Sequence, residues 1–259
     1  MAFGKTGIDW RSTTAAVWRS NRHFLKPIAR VDMIDPDSLL GIDEQKALLY
    51  KNTENFLRGK PASHALLWGA RGVGKSSLIK TLLSRYHHYG LRMIQISHDD
   101  LHLLPDITDD IADNHQHFII YCDDLTFEAG HNEHRMLKSS MEGTLEQPSN
   151  NVLIYATSNR RHLLPQYMAD NMSMRDESVP APDTESLEEY LSLADRFGLS
   201  LAFEPMSRET YLSIVDRLFK GKKVDRETLH TEAERFAMQR GGHSGRMARH
   251  FLNHYQMYL

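Results

Sequence analysis

One short stretch of the chain has the residue types and the spacing needed to hold a nucleoside triphosphate. Residues 69–76 fit the pattern G-x-x-x-x-G-K-S. In this pattern glycines let backbone N–H groups wrap the phosphates, the lysine reaches the outer phosphates, and the serine hydroxyl ligates Mg²⁺. The residues predicted to contact the phosphates are Gly69, Ala70, Arg71, Gly72, Val73, Gly74, Lys75, Ser76 and Ser77.

The sequence on either side of this phosphate loop (residues 69–76) suits that chemistry. Residues 65–68 are an apolar run that predicts a buried strand, and residues 77–83 carry apolar side chains at helical spacing. A helix that begins inside the loop adds a favourable partial positive charge near the phosphates. A chance match in a glycine-rich turn is the alternative, and the flanking pattern disfavours it.

A pair of carboxylates follows an apolar run later in the chain. Residues 117–122 predict a buried strand, and Asp123 and Asp124 come directly after it. A strand that ends beside the phosphate loop would place Asp123 to hold Mg²⁺ together with Ser76. Asp124 is the candidate for polarising the attacking water, and Glu128 is its rival for that role.

A further polar side chain ends another predicted strand. Residues 152–157 are apolar and are followed by Ser158 and Asn159. An amide side chain at this edge can orient a water molecule without competing for its proton. The alternative is that Asn159 caps a strand-to-helix turn, a position that asparagine favours.

The elements that would position these residues alternate along the chain. Apolar runs predict five strands at residues 65–68, 92–97, 117–122, 152–157 and 199–203, with helical patterns between them. This order predicts an α/β fold, with a parallel five-stranded sheet flanked by helices over residues 39–205. Helical patterns over 208–219, 226–240 and 244–258 predict a small helical lid over residues 206–259. Residues 132–146 and 187–194 also read as helices, and the polar stretch 169–186 as a loop.

Residues 1–38 predict a basic arm with interleaved aromatic residues. Two interpretations remain open: an amphipathic helix that packs on the main domain or on a neighbouring subunit, which we favour, and a nucleic-acid contact through phosphates and stacking. The first thirty residues contain one acid, Asp9, against Lys5, Arg11, Arg19, Arg22, Lys26 and Arg30.

Composition sets outer bounds on the class of protein. The 259 residues carry a net charge of −3 and are 41% hydrophobic, which allows a sizeable core and argues against an overall polycation. The single cysteine, Cys122, excludes an intrachain disulfide and suits a reducing cytoplasm. No apolar run has the length of a membrane span, so we expect no membrane association. The His98/His102 and His250/His254 pairs lack a convincing third ligand for zinc.

Taken in order, these features resemble the AAA+ ATPases from about Leu39 to the end of the chain. The match is closer for three stretches, which look like a bacterial AAA+ family known only as a domain of unknown function. They are C-D-D-L-T-F-E at 122–128, A-T-S-N-R-R-H-L at 156–163 and L-A-D-R-F-G-L at 193–199.

The resemblance implies roles for several residues. Asn159 would read the terminal phosphate of ATP, and Arg196 would enter the site of a neighbouring subunit, with Arg160 and Arg161 as rivals. The resemblance also implies a homo-oligomer. We expect it to be a ring, and a hexamer is one option. Arg246 would touch phosphate from the lid with Arg249 as its backup, and Gly41 and Ile42 would border the adenine.

One departure from the family pattern concerns the acids. Many AAA+ proteins carry Asp-Glu where this chain has Asp123-Asp124. The shorter second acid predicts slow hydrolysis or a contribution from Glu128.

Three functions remain open at this level. The leading one is an ATPase that uses MgATP to drive a conformational change on a protein or nucleic-acid partner. The second is a DNA-associated helper of the helicase-loader type that uses ATP as a clamp. The third, a metabolic kinase, is disfavoured by the predicted lid and the Asp-Arg-Phe stretch.

Overall fold

A seven-stranded, mostly parallel sheet forms the centre of the molecule. The computed structural model describes residues 7–125, 141, 149–159 and 195–255. Within them the strand order is β2-β1-β4-β5-β6-β3-β7, and every neighbouring pair is parallel except β1 with β2. The strands are β1 (Ala15–Arg19), β2 (Phe24–Pro27), β3 (Ala65–Gly69), β4 (Leu91–Ile96), β5 (His117–Cys122), β6 (Val152–Ser158) and β7 (Leu199–Phe203).

The strand order explains how distant parts of the sequence meet. The five predicted strands correspond to β3 to β7, and the predicted α/β fold class is confirmed. Because β6 lies between β3 and β5 and the three strands are parallel, the residues that follow them converge at one edge of the sheet, the edge formed by the carboxyl ends of the strands. That edge carries the phosphate loop, the two acids and Asn159.

The N-terminal segment differs from the prediction. Residues 15–27 form an antiparallel hairpin on the edge of the sheet rather than an amphipathic helix, so the sheet has seven strands instead of five. Trp18 and Leu25 are cross-strand partners and are both buried in the core. The buried Arg92 guanidinium donates to the carbonyl oxygens of Trp10 at 2.6 Å and Arg11 at 3.3 Å, which ties this segment to β4.

Three helices accompany the sheet in the described part of the chain. They are α1 (Asp43–Leu57), α2 (Lys75–Tyr86) and α3 (Leu104–Ala112). Leu49, Leu78 and Leu82, from α1 and α2, are fully buried in the cluster that covers one face of the sheet. Ile107 and Ile111 of α3 belong to the cluster on the other face.

The lid is a three-helix unit with a core of its own. Its helices are α4 (Arg208–Leu218), α5 (Arg226–Gln239) and α6 (Gly245–Tyr255), each within a few residues of its predicted bounds. The Ser207 and Asp225 side chains accept hydrogen bonds from backbone N–H groups in the first turns of α4 and α5, which fixes where these helices begin. Tyr211, Val215 and Phe251 are at the centre of the lid core.

Several predicted elements lie outside the described residues. They are the helix at 187–194, the loop at 169–186 and, except for residue 141, the helix at 132–146. Among the described helices, none is long and apolar enough to cross a bilayer.

Candidate nucleotide-binding site

A cleft of about 940 Å³ lies between the sheet edge and the lid. This volume is within the range of small-molecule and cofactor sites. Most of the predicted site residues lie in its wall: Arg71, Gly72, Val73, Gly74, Lys75, Ser76, Ser77, Asp123, Asp124, Asn159 and Arg246. Gly69 and Ala70 lie at the start of the loop, where β3 ends.

The glycines of the phosphate loop are required by its backbone path. Gly69, Gly72 and Gly74 have φ angles of +125°, +74° and +109°, a region that side chains rarely allow. A methyl group at Gly69 would also lie 2.1 Å from the carbonyl oxygen of Phe203 in β7. The loop therefore has the compact form that lets backbone N–H groups approach phosphates closely.

The Lys75 ammonium is buried at the base of the loop. Its Nζ donates to the carbonyl oxygens of Gly69 at 2.9 Å and Ala70 at 2.6 Å, and to Asn159 Oδ1 at 3.1 Å. Burial lowers the pKa of Lys75 to about 8, against the opposing effect of Asp124 and Asp123. The side chain is thus held where a phosphate could replace its present partners.

Ser76 and Asp123 form a site suited to Mg²⁺. The Ser76 hydroxyl donates to Asp123 Oδ1 at 2.7 Å. Burial raises the pKa of Asp123, but hydrogen bonds from Thr157 and Ser76 outweigh it, so the pKa is lowered and the carboxylate stays ionised. One carboxylate and one hydroxyl are the oxygen ligands that Mg²⁺ takes alongside phosphates and water. These two residues would hold the ion.

The second acid adopts an unusual backbone conformation. Asp124 has φ +57°, and its N–H donates to Thr157 Oγ1 at 2.9 Å. The Asn159 amide donates to Asp124 Oδ1 while its oxygen accepts from Lys75. Asn159 therefore connects the lysine predicted to bind phosphate to the acid predicted to polarise water. Glu128, the rival acid, lies outside the described residues.

The lid contributes several cations to the cleft. Arg246 and its backup Arg249 are exposed on α6 and lie in the cleft wall, as does Arg217 of α4. Arg217 was not predicted as a site residue. The helical pattern indicates α4, but the face that meets the cleft depends on how the lid docks.

Gly41 and Ile42, which were expected to border the adenine, do not line the cleft, whereas the two residues before them do. Leu39 and Leu40 lie in the cleft wall. Ile42 is buried behind it, and its Cδ1 would lie 3.5 Å from a methyl group placed on Gly74. Gly41 packs against Thr210 of α4. Within this segment the cleft is therefore lined by Leu39 and Leu40 rather than by Gly41 and Ile42.

Arg196 does not line the cleft. It is exposed and precedes β7 between Asp195 and the buried Phe197, whereas the phosphate loop follows β3. Since β3 and β7 are parallel neighbours, Arg196 lies at the opposite end of the sheet from the phosphate loop of its own chain. Its rivals Arg160 and Arg161 are outside the described residues.

A metal site of another kind is not found in the described ranges. There, no three His, Cys, Asp or Glu side chains lie close enough together to hold an ion.

Solved structures with a similar fold include several forms of one protein. The chain superposes on the RuvB Holliday junction branch migration motor of Thermotoga maritima with a TM-score of 0.53 at 15% identity, covering 85% of this chain and 63% of that one. Two mutant forms of the same protein give TM-scores of 0.56 and 0.54 at 16% identity, covering 84% and 85% of this chain. The chain spans only 61–63% of the length of these RuvB chains. At such identity the likeness establishes the fold, which is that of the AAA+ ATPases.

A family model extends over nearly the whole chain. No curated protein matches the chain. The model described as "Protein of unknown function (DUF815)" matches residues 11–258. The chain therefore belongs to the DUF815 family and has the AAA+ fold.

Proposed function

We propose that this protein binds MgATP in the cleft between sheet and lid, hydrolyses it, and uses the resulting lid movement to act on a macromolecular partner. The observation that carries the proposal is the linked arrangement at the sheet edge. Ser76 is bonded to Asp123, while Lys75 and Asp124 are both bonded to Asn159.

The phosphates would be bound by the loop and its lysine. Lys75 would exchange its neutral carbonyl partners for charged phosphate oxygens, which adds the attraction between opposite charges to the hydrogen bonds that its ammonium donates. Mg²⁺ held by Ser76 and Asp123 would neutralise phosphate charge when bound. Arg246, from the lid, would add a further positive charge near the same phosphates.

Asp124 is the proposed acceptor of the proton from the attacking water, and Asn159 would orient that water. Glu128 stays an alternative for the same role. An aspartate is one methylene shorter than the glutamate found in many AAA+ proteins, so we expect slow turnover.

A neighbouring chain is expected to complete the site. Arg196 lies away from the cleft of its own chain. From that position its planar guanidinium could reach the cleft of a neighbouring chain and stabilise charge on the phosphates bound there. We therefore propose a homo-oligomer, with a ring as its form and a hexamer as one option.

The lid is in direct contact with the phosphate loop. The Gly245 N–H, at the start of α6, donates to the Gly72 carbonyl oxygen at 3.0 Å. A change in the loop conformation on ATP binding would therefore alter the position of α6. In this way nucleotide binding could move the lid.

The primary test is ATP binding by a Lys75→Ala variant, measured with a fluorescent ATP analogue. We expect affinity to fall about 10- to 150-fold, because a hydrogen bond to a charged group contributes about 1.5–3 kcal/mol. Lys51→Ala, which removes an exposed lysine on α1, is the matched control. Unchanged affinity in Lys75→Ala would contradict the proposal.

Turnover separates the two candidate acids. Asp124→Asn and Glu128→Gln each keep the size of the side chain and remove its charge. If Asp124 activates the water, only Asp124→Asn should bind ATP normally while losing hydrolysis. The reverse result would assign the role to Glu128.

A second candidate, a DNA-associated helper ATPase, is favoured by one surface. No Asp or Glu occurs between Trp10 and Val31. The hairpin places the exposed Arg19 opposite Phe24, itself 38% exposed, and Lys26 opposite Val17. Because cross-strand partners share a face, cations and an aromatic ring lie together there.

Salt-dependent binding to single-stranded DNA, with and without ATP, tests this candidate. Arg19, Arg22 and Lys26 changed together to alanine should weaken binding and flatten its salt dependence. The same change at the exposed Lys220, Lys222 and Lys223 of the lid, which removes equal charge, should not. Equal effects of the two triple variants would count against a specific hairpin contact.

A further inference from the structure

We infer that Thr157 is a positioning residue that sets the orientation of both acids in the proposed MgATP site, and this inference depends on that proposed function. Thr157 lies in β6, one residue beyond the position where Ala156 pairs with Cys122 of β5. This register places its side chain beside Asp123. It is 2% exposed.

A single hydroxyl group contacts both acids. Thr157 Oγ1 donates to Asp123 Oδ1 at 2.6 Å and accepts from the Asp124 N–H at 2.9 Å. A hydroxyl has one proton and two lone pairs, so it can make both bonds at once. The direction is fixed, because an ionised carboxylate can only accept and a backbone N–H can only donate.

These bonds stabilise the turn that separates the roles of the two acids. Asp124 has φ +57°, a conformation that residues other than glycine seldom adopt. The Thr157 carbonyl oxygen also accepts from the Leu125 N–H at 2.6 Å. The turn directs Asp123 towards Ser76 and Asp124 towards Asn159.

If the role of Thr157 were purely structural, its hydroxyl would form hydrogen bonds that stabilise the fold without affecting the site. Thr53 is a matched case in this chain, since it is fully buried and its hydroxyl donates to the Leu49 carbonyl oxygen at 2.9 Å. Its second partner is the Tyr155 hydroxyl at 3.0 Å, in the core rather than the cleft. Valine at either position keeps the shape and removes the hydroxyl.

The test compares Thr157→Val, Thr157→Ser and Thr53→Val in the full chain. Binding of a fluorescent ATP analogue is titrated with Mg²⁺ and, separately, measured in EDTA. The free energy of unfolding is measured for each variant, and kcat and KM for ATP hydrolysis are determined.

We expect Thr157→Val to need about 10- to 100-fold more Mg²⁺ for half-maximal enhancement of binding, the range typical for loss of a group that orients a metal ligand. Its affinity in EDTA should stay as in the wild type, and kcat should fall more than KM rises. Thr157→Ser should restore both properties. Thr53→Val should lose stability but keep the wild-type Mg²⁺ requirement.

A wild-type Mg²⁺ midpoint in Thr157→Val would overturn the inference while leaving the ATPase proposal intact, as would equal impairment of Thr157→Ser. If Thr157→Val does not fold, Thr157→Ala removes the same hydroxyl without adding a methyl group beside Asp123, and the same criteria apply. A wild-type chain that binds no ATP at any Mg²⁺ concentration would overturn both proposals.

Discussion

The buried charge of Lys75 should make the proposed ATP binding sensitive to pH. Its pKa is lowered to about 8 because burial disfavours the charged form, whereas contact with phosphate needs that form. Above this pKa the free protein must take up a proton to bind ATP. We therefore expect the dissociation constant for ATP to rise as pH increases through 8 to 9, approaching tenfold per pH unit at most. Equilibrium titration of a fluorescent ATP analogue from pH 7 to 9.5 measures this.

Lys75→Ala supplies the control for this pH effect. It should bind ATP weakly but with little change over the same range, because the titrating group is gone. A wild-type dissociation constant that stays flat up to pH 9.5 would contradict a lowered pKa of Lys75 in the free protein.

Individual site residues were predictable to different degrees. Lys75 and Ser76 belong to a local pattern whose chemistry can be read from spacing alone. Thr157 was not predicted as a site residue, because its hydroxyl meets the acids only through the register of β5 with β6. Arg217 was missed because its place depends on lid docking.

At the scale of elements, α4 approaches the core so closely at Gly41 that a side chain is excluded. A methyl group there would lie 2.6 Å from Thr210 Cγ2, and the φ angle is +74°. We expect Gly41→Ala to lower the free energy of unfolding by more than Gly59→Ala does. Gly59 has a similar φ of +64° with nothing within 4 Å, so it reports the backbone cost alone, roughly 1–2 kcal/mol.

A double-mutant cycle with Thr210→Ala isolates the steric part. That change removes the two closest atoms and leaves the Thr210 Cβ at 3.5 Å. Chemical denaturation should show the excess loss of Gly41→Ala disappearing in the double variant. If Gly41→Ala and Gly59→Ala lose equal stability, the lid does not pack here as described.

The hairpin shows what sequence patterns could not supply. Strands β3 to β7 are buried between helices and therefore appear as apolar runs. β1 has the sequence A-A-V-W-R, which suits a helix as well as a strand. Whether this segment forms a strand or a helix is decided by hydrogen bonding to β4, more than seventy residues later in the chain, and by burial of Trp18. Such non-local pairing is not encoded in local periodicity.

At the scale of the whole molecule, the cleft gathers groups from the phosphate loop, the acids and the lid, while Arg196 lies at the other end of the sheet. A head-to-tail assembly would repeat one contact in which each chain supplies an arginine to the next. The two halves of each site would then belong to different chains, and defects in them should complement.

Mixing two inactive variants tests this division. Arg196→Ala keeps the ATP-binding half of the site, and Lys75→Ala keeps the arginine. After subunit exchange, verified by co-purification of differently tagged chains, an equal mixture should recover about one quarter of wild-type ATPase activity, because one contact in four joins two intact halves of a head-to-tail interface. A mixture of Lys75→Ala with Asp124→Asn should stay inactive, since both changes damage the same half. No activity in the first mixture despite verified exchange would exclude Arg196 as the residue supplied by the neighbour. Activity in the second mixture would show that Lys75 and Asp124 are not both required in the same half of the site.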